Sequence, residues 1–208
     1  MVIVPKHDNC NGKNIINTNG ALTNINKKYV KQHVKNKKKP NTFKKKFITV
    51  LIGGNSRHHK ITKKILDEII NKLNYLEDKT KINFYLLFSR RTNKNDYLYL
   101  KKKIINKKFF FILPNSTKVS YINALCFSEA IIVTSDSVSM VTEACSTGKP
   151  TYIINIPTKS KKFTFFIKNL INLKLAYYLK KSLSLKKKTK TLNDIDIVIK
   201  KIKKKIKI

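Results

Sequence analysis

From Phe47 onward the chain repeats one pattern: an uninterrupted apolar, β-branched run, a polar cluster, then an amphipathic stretch. The runs are FITVLIG, INFYLLF, FFFIL, AIIVT and TYIIN, beginning at Phe47, Ile82, Phe109, Ala130 and Thr151. A strand that reads apolar at every position is buried on both faces. Where each such strand leads into a helix, the arrangement that buries them all is a parallel sheet with helices on both sides and right-handed crossovers. Ile65, Leu66, Ile69, Ile70, Leu73 and Leu76 fall on one helical stripe between Thr62 and Leu76. DYLYLKKKII, the interval 117–127, VSMVTEACST and Phe163 to Leu170 supply the other helices, with VSMVTEACST stopped by Gly148 and Pro150. The expected fold class is α/β, a Rossmann-like mostly parallel sheet with helices on both faces. Ligands of such sheets bind beyond the carboxyl ends of the strands.

The segments outside this pattern divide the chain. VIVP opens it as a short strand and NIINTNGAL offers a second strand and turn, followed by KKYVKQHVKNKKKPNTFKKK, which reads as a lysine-rich linker broken at Pro40. Residues 1–44 are therefore expected to be the remnant of a preceding domain plus a linker, and residues 45–175 the Rossmann-like domain. Residues 176–208 form a lysine-rich tail whose LND start and acidic first turn favour a helix.

The chain has 208 residues and a formal net charge of +35, a balance that attracts nucleic acid, anionic lipid or a phosphorylated ligand. Its 46 basic residues include three arginines, Arg57, Arg90 and Arg91. Sites that read phosphate or base geometry prefer the bidentate guanidinium, so most of the lysines read as a solvated face. A nucleic-acid partner is not expected, and an anionic membrane surface stays open. Cys10, Cys126 and Cys145 show no CxxC spacing and the histidines no HExxH, which argues against a disulfide framework and against a metal site. No apolar run approaches the roughly 20 residues that span a bilayer. A cytoplasmic protein, in places peripheral to a membrane, is the expectation.

Three polar clusters end strands. Gly53, Gly54, Asn55, Ser56 and Arg57 follow the first, where two glycines let backbone N–H groups approach a phosphate. The spacing matches neither the dinucleotide nor the P-loop fingerprint. Arg90 and Arg91 follow the second; Arg90 is expected to tie down the loop and Arg91 to meet the ligand. SDSVSMVTEAC follows the fourth, with no basic residue in it. Asp136 and Ser137 stand where N-caps belong, and the helix that follows offers free N–H groups to an anion. Ser139 and Glu143 lie about one turn apart on one face, and a carboxylate there can accept both hydroxyls of a ribose.

VLIGGNSRHH, LLFSRRT and above all IIVTSDSVSMVTEACSTGKPTYII resemble the bacterial proteins related to the plant elongated-mitochondria, or mitochondrial-fission, proteins. Pro5, His7 and Asp8 in VIVPKHD, with Thr18, Gly20 and Ala21 in NIINTNGAL, resemble that family's middle segment. The resemblance covers about residues 2–172 and the tail more loosely, and corresponds to the family's carboxyl-terminal half. It implies a likeness to B-type glycosyltransferases, whose carboxyl-terminal Rossmann-like domain holds a nucleoside-diphosphate sugar. On that likeness Gly53, Gly54 and Asn55 would approach the diphosphate, Ser137 to Ser139 would donate to it, Arg91 would sit beside it and Glu143 would hold ribose. The resemblance implies no cofactor beyond the nucleotide-sugar donor. It also implies a missing amino-terminal domain, either through a truncated reading frame or through a split gene whose other chain supplies it, which leaves the enzyme question open. The alternative is a non-enzymatic interaction or membrane-peripheral protein of the same family.

Overall fold

The computed structural model describes residues 1–43, 46–113, 118–180 and 183–206. Strands β1 (Val2–Pro5) and β2 (Ile15–Thr18), joined through a 3-10 turn at Lys6–Asp8, pair in parallel as a separate two-stranded sheet. Helix α1 (Lys27–Asn36) follows. The main domain then alternates β3 (Phe47–Ile52), α2 (Lys63–Thr80), β4 (Asn83–Phe88), α3 (Lys94–Ile104), β5 (Phe110–Ile112), α4 (Lys118–Phe127), β6 (Ala130–Thr134), α5 (Val138–Ser146), β7 (Thr151–Ile154) and α6 (Lys161–Asn172). A two-residue strand β8 (Tyr177–Tyr178) and helix α7 (Asp194–Lys205) complete the described chain.

The six strands from β3 to β8 form one sheet in the order β5-β4-β3-β6-β7-β8, every pair parallel. Counted within the sheet, the first strand lies at the centre and the chain winds outward first one way and then the other. The crevice where the winding reverses lies between β3 and β6, and that is where doubly wound folds take their ligands. The alternating side chains of the strands serve two cores. Phe47, Leu51, Tyr85, Leu87, Ile131 and Val133 pack under α4, α5 and α6. Ile48, Val50, Ile52, Phe84, Leu86 and Ile132 pack under α2 and α3. The α2 stripe behaves as its periodicity requires: Leu66, Ile69, Ile70, Leu73 and Leu76 are buried and Thr62 caps its start.

The segment read as a linker is partly a helix. Residues 27–36 form α1, capped by Asn26, with Val30 buried. His33 Nε2 pairs with Asn123 Oδ1 at 2.7 Å and stacks on Tyr29, so α1 lies against α4. Seven polar side chains in ten residues weaken its periodicity and leave a one-residue apolar anchor to find. The sheet also outruns the expected domain end at residue 175, because β8 adds to β7 at Tyr152↔Tyr177.

The first and last segments are tied together. The buried Asp194 carboxylate at the start of α7 accepts from Asn19 N at 2.7 Å, Gly20 N at 2.8 Å and Asn19 Nδ2 at 3.0 Å. Ala21 N donates to Thr142 Oγ1 in α5 at 3.1 Å. A Cβ on Gly20 would lie 2.5 Å from that same oxygen, so the loop after β2 can close on α5 with a glycine there. His7 packs edge-on against Phe166, and Asp8 pairs with Lys162 at 3.0 Å on α6. Among the described residues no helix is long and apolar enough to cross a membrane.

Candidate functional site

Beyond the carboxyl ends of β3, β4 and β6 opens a cavity of about 800 Å3, within the range of small-molecule sites. Its wall is built from Arg90 and Arg91 after β4, from Ser137 and Ser139 at the start of α5 and Glu143 further along it, and from Tyr121 of α4.

The amino end of α5 sets its polarity. Ser137 is the N-cap, in extended conformation, and its Oγ accepts from Met140 N at 3.5 Å. The N–H groups of Val138 and Ser139 have no place in the helix ladder, and both residues line the cavity. The exposed Ser139 hydroxyl adds a further donor. A helix amino end with unspent N–H groups favours an anion.

Glu143 lies one turn further along. Tyr121 Oη donates to Glu143 Oε2 at 2.5 Å. Burial raises the pKa of the Glu143 carboxyl, and the hydrogen bond from Tyr121 partly opposes this. The same burial, with the neighbouring Glu143, raises Tyr121, so the phenol stays protonated and remains the donor.

Asp136 has a different role from a ligand contact. Its side chain is fully buried, Oδ2 accepts from Gly54 N at 3.0 Å and lies 3.2 Å from Arg91 Nη2, and Arg91 Nη2 also reaches Asp136 O at 3.4 Å. Gly53 N donates to Thr134 Oγ1 at 2.8 Å. The amide hydrogens expected to meet a diphosphate at Gly53 and Gly54 are thus already spent on the β6 loop. The glycines are there because three loops meet: a Cβ on Gly53 would sit 1.9 Å from Asp136 Oδ2, and one on Gly54 2.2 Å from the Arg91 carbonyl. The loop tie expected of Arg90 is made by its neighbour instead. Arg91 ties the β4 loop to Asp136, while Arg90 is exposed on the rim with no ion pair or hydrogen bond among the described residues.

Asn55, Ser56 and Arg57 stand away from this cavity. Asn55 Oδ1 accepts from Ile61 N at 2.7 Å, Ser56 Oγ accepts from His58 N and His59 N at 3.2 and 3.1 Å, and Arg57 is exposed with Nη2 3.5 Å from His58 Nε2. They build the turn that carries His59 inward. The structure therefore brings Arg91, Asp136, Ser137, Ser139 and Glu143 together and leaves residues 55–57 outside. Tyr121 and Phe163 are site residues that sequence reasoning missed. They lie on helices far away in the chain, and nothing local to either marks it. Cys145, by contrast, is core as its setting implied, its thiol pushed up to about 12 by burial. Among the described residues no group of three His, Cys, Asp or Glu side chains could hold a metal.

A family model described as mitochondrial fission ELM1 matches residues 1–206. The chain belongs to the mitochondrial fission ELM1 family. This corrects the expectation of a resemblance confined to a carboxyl-terminal half and fading after residue 172, because the match takes in β1, β2 and α7. Those segments are held to the main domain through Asp194 and Thr142, as part of one packed unit. The ELM1-family chain is similar to the uncharacterized protein RP120 of Rickettsia prowazekii, 32% identical over 184 residues, 86% of this chain and 51% of that protein. It is also similar to the mitochondrial fission protein ELM1 of Arabidopsis thaliana, 44% identical over 50 residues, 24% of this chain and 12% of that one. The chain thus spans about half the length of the Rickettsia relative. Among solved structures, MurG of Acinetobacter baumannii is similar at a TM-score of 0.42 and 15% identity, covering 76% of this chain and 42% of that one.

Proposed function

We propose that this ELM1-family protein binds a nucleoside-diphosphate sugar at the crevice between β3 and β6, in the manner of the donor-binding domain of a B-type glycosyltransferase. The observation that carries the reading is the amino end of α5. Unspent N–H groups of its first turn, the Ser139 hydroxyl and the exposed Arg90 guanidinium line one cavity, and a carboxylate lies one turn beyond them. The anion of a diphosphate fits the first three. Glu143, kept in place by Tyr121, fits the two hydroxyls of a ribose about one sugar unit away. In such a site the diphosphate is neutralised by helix N–H groups and a guanidinium, the means by which a leaving group's charge is stabilised during transfer. Transfer itself calls for an acceptor and a base, which this reading assigns to no residue here.

Calorimetric titration with UDP and GDP at low and high salt tests it. Micromolar binding that persists at high salt, and that Glu143→Ala weakens tenfold or more, equivalent to about 1.4 kcal/mol, supports the site. Binding that is absent, or that salt erases for every polyanion alike, overturns it.

The alternative of a non-enzymatic interaction protein draws on α7. Ile197 and Ile199 on this lysine-rich helix, and Ile206 at its C-cap, are each about half exposed. Co-sedimentation with anionic vesicles that is lost on Ile197→Glu and Ile199→Glu, with no nucleotide binding, would favour that reading.

A further inference from the structure

A second cavity, of about 310 Å3, lies behind the first at the carboxyl ends of β6 and β7. Consecutive residues divide the two: Ser135 lines the second cavity and Asp136 the first, and Phe163 in the first turn of α6 lines both. At the shared wall three buried polar atoms have no partner among the described residues, namely Asp136 Oδ1, His59 Nδ1 and His59 Nε2. His59 is 2% exposed, and an imidazole buried with neither nitrogen satisfied costs free energy that a folded domain seldom leaves uncompensated.

We infer that the second cavity is the subsite for the hydroxyl-rich sugar carried by the diphosphate, with His59 as its specificity-determining contact. The inference rests on the nucleotide-sugar reading of the first cavity and adds the position of the sugar to it.

The chemistry of the lining supports a hydroxylated ligand. Burial lowers the pKa of His59, against the pull of Asp136 and with a smaller push from the Arg91 guanidinium, so the ring is neutral. A neutral imidazole has one N–H donor and one bare nitrogen, and a hydroxyl group can answer both. Ser135 Oγ accepts from Ile156 N at 2.8 Å, which leaves its own O–H proton for another acceptor. Asn155, Lys168 and Tyr178 add exposed or half-exposed polar groups at the mouth, and none of the described residues lining the cavity is acidic. The Phe163 ring lies edge-on to His59 with centroids 4.5 Å apart and shields the imidazole. Phe163 is only partly buried and lines both cavities, so the way from one to the other runs past its ring. A ligand whose phosphates sit on the first turn of α5 then turns past Phe163 to reach His59.

The test compares UDP with UDP-glucose and UDP-N-acetylglucosamine on the full chain, by calorimetry. It uses the wild type, His59→Phe, which keeps an aromatic ring against Phe163, and Thr164→Trp, which fills the cavity from an exposed position. Imidazole resonances of His59 are followed by NMR in parallel. The expected result is a UDP-sugar that binds at least tenfold tighter than UDP. That ratio falls to near one in both variants, and the His59 resonances move with the UDP-sugar and stay still with UDP. If UDP binds but neither sugar improves on it, or the ratio survives both substitutions, the sugar subsite is wrong and the nucleotide site stands. If UDP itself does not bind, both readings fall.

Discussion

Arg91 holds Asp136 at 3.2 Å across the mouths of two strands, and the carboxylate it holds is completely buried while its own side chain is 41% exposed. The pair joins the β4 loop to the β6 loop directly over the point where the sheet reverses its winding. The cavity therefore has a floor built from the chain's own salt bridge, and the amino end of α5 forms the wall beside it.

Removing the carboxylate undoes that floor. Asp136→Ala leaves Gly54 N without its acceptor and the guanidinium without its counter-ion, and is expected to cost about 2–4 kcal/mol. Urea denaturation measures this; a loss under about 1 kcal/mol would show that the contact is incidental.

The two loop glycines give a graded comparison. Gly54→Ala places Cβ 2.2 Å from the Arg91 backbone, which has nowhere to move, and is expected to cost more than about 3 kcal/mol. Gly12→Ala, whose Cβ would meet nothing closer than 3.5 Å, is expected to stay within about 0.5 kcal/mol of wild type. Equal effects at the two positions would contradict the crowding argument.

Glu143 makes stability fall as pH rises. Its folded pKa lies above the ordinary value of 4.5, so between 4.5 and the raised value the native state binds more protons than the unfolded one. Stability therefore declines across that window and the deficit is fully present above it. Glu143→Gln keeps an acceptor for Tyr121 and has no charge to bury. The variant is expected to be more stable than wild type at pH 7 and indistinguishable from it below pH 4.5. Thermal melts across pH check the sign, and a wild type that gains stability on going from pH 5 to 7 relative to the variant would refute it.

Asp194 is the clasp between the first and last segments. Asp194→Ala strands Asn19 N and Gly20 N and is expected to cost about 2–3 kcal/mol. Hydrogen exchange should show α7 and the turn at residues 19–21 losing protection first, while β3 and β6 keep theirs. Uniform loss of protection would mean that the clasp is not local.

The class of fold was legible because its signals are local. Apolar runs such as FITVLIG, the α2 stripe with its Thr62 cap and the stop at Gly148 each depend on a few neighbouring residues, and the structure places strands and helices there. The sequence also pointed to Ser137, Ser139 and Glu143, because their spacing along one helix is a property of the helix itself. It could not say where a backbone N–H is spent: the amides of Gly53 and Gly54 look free in the chain and are taken by Thr134 and Asp136, about eighty residues away. It assigned the loop tie to Arg90 where Arg91 makes it, and it could not pair Tyr121 with Glu143, bring His59 to a second cavity, or reveal α1 as a helix. Those outcomes depend on which residues from distant segments compete for the same buried space and the same hydrogen bonds, and that competition is decided when the sheet closes and the loops at its edge meet.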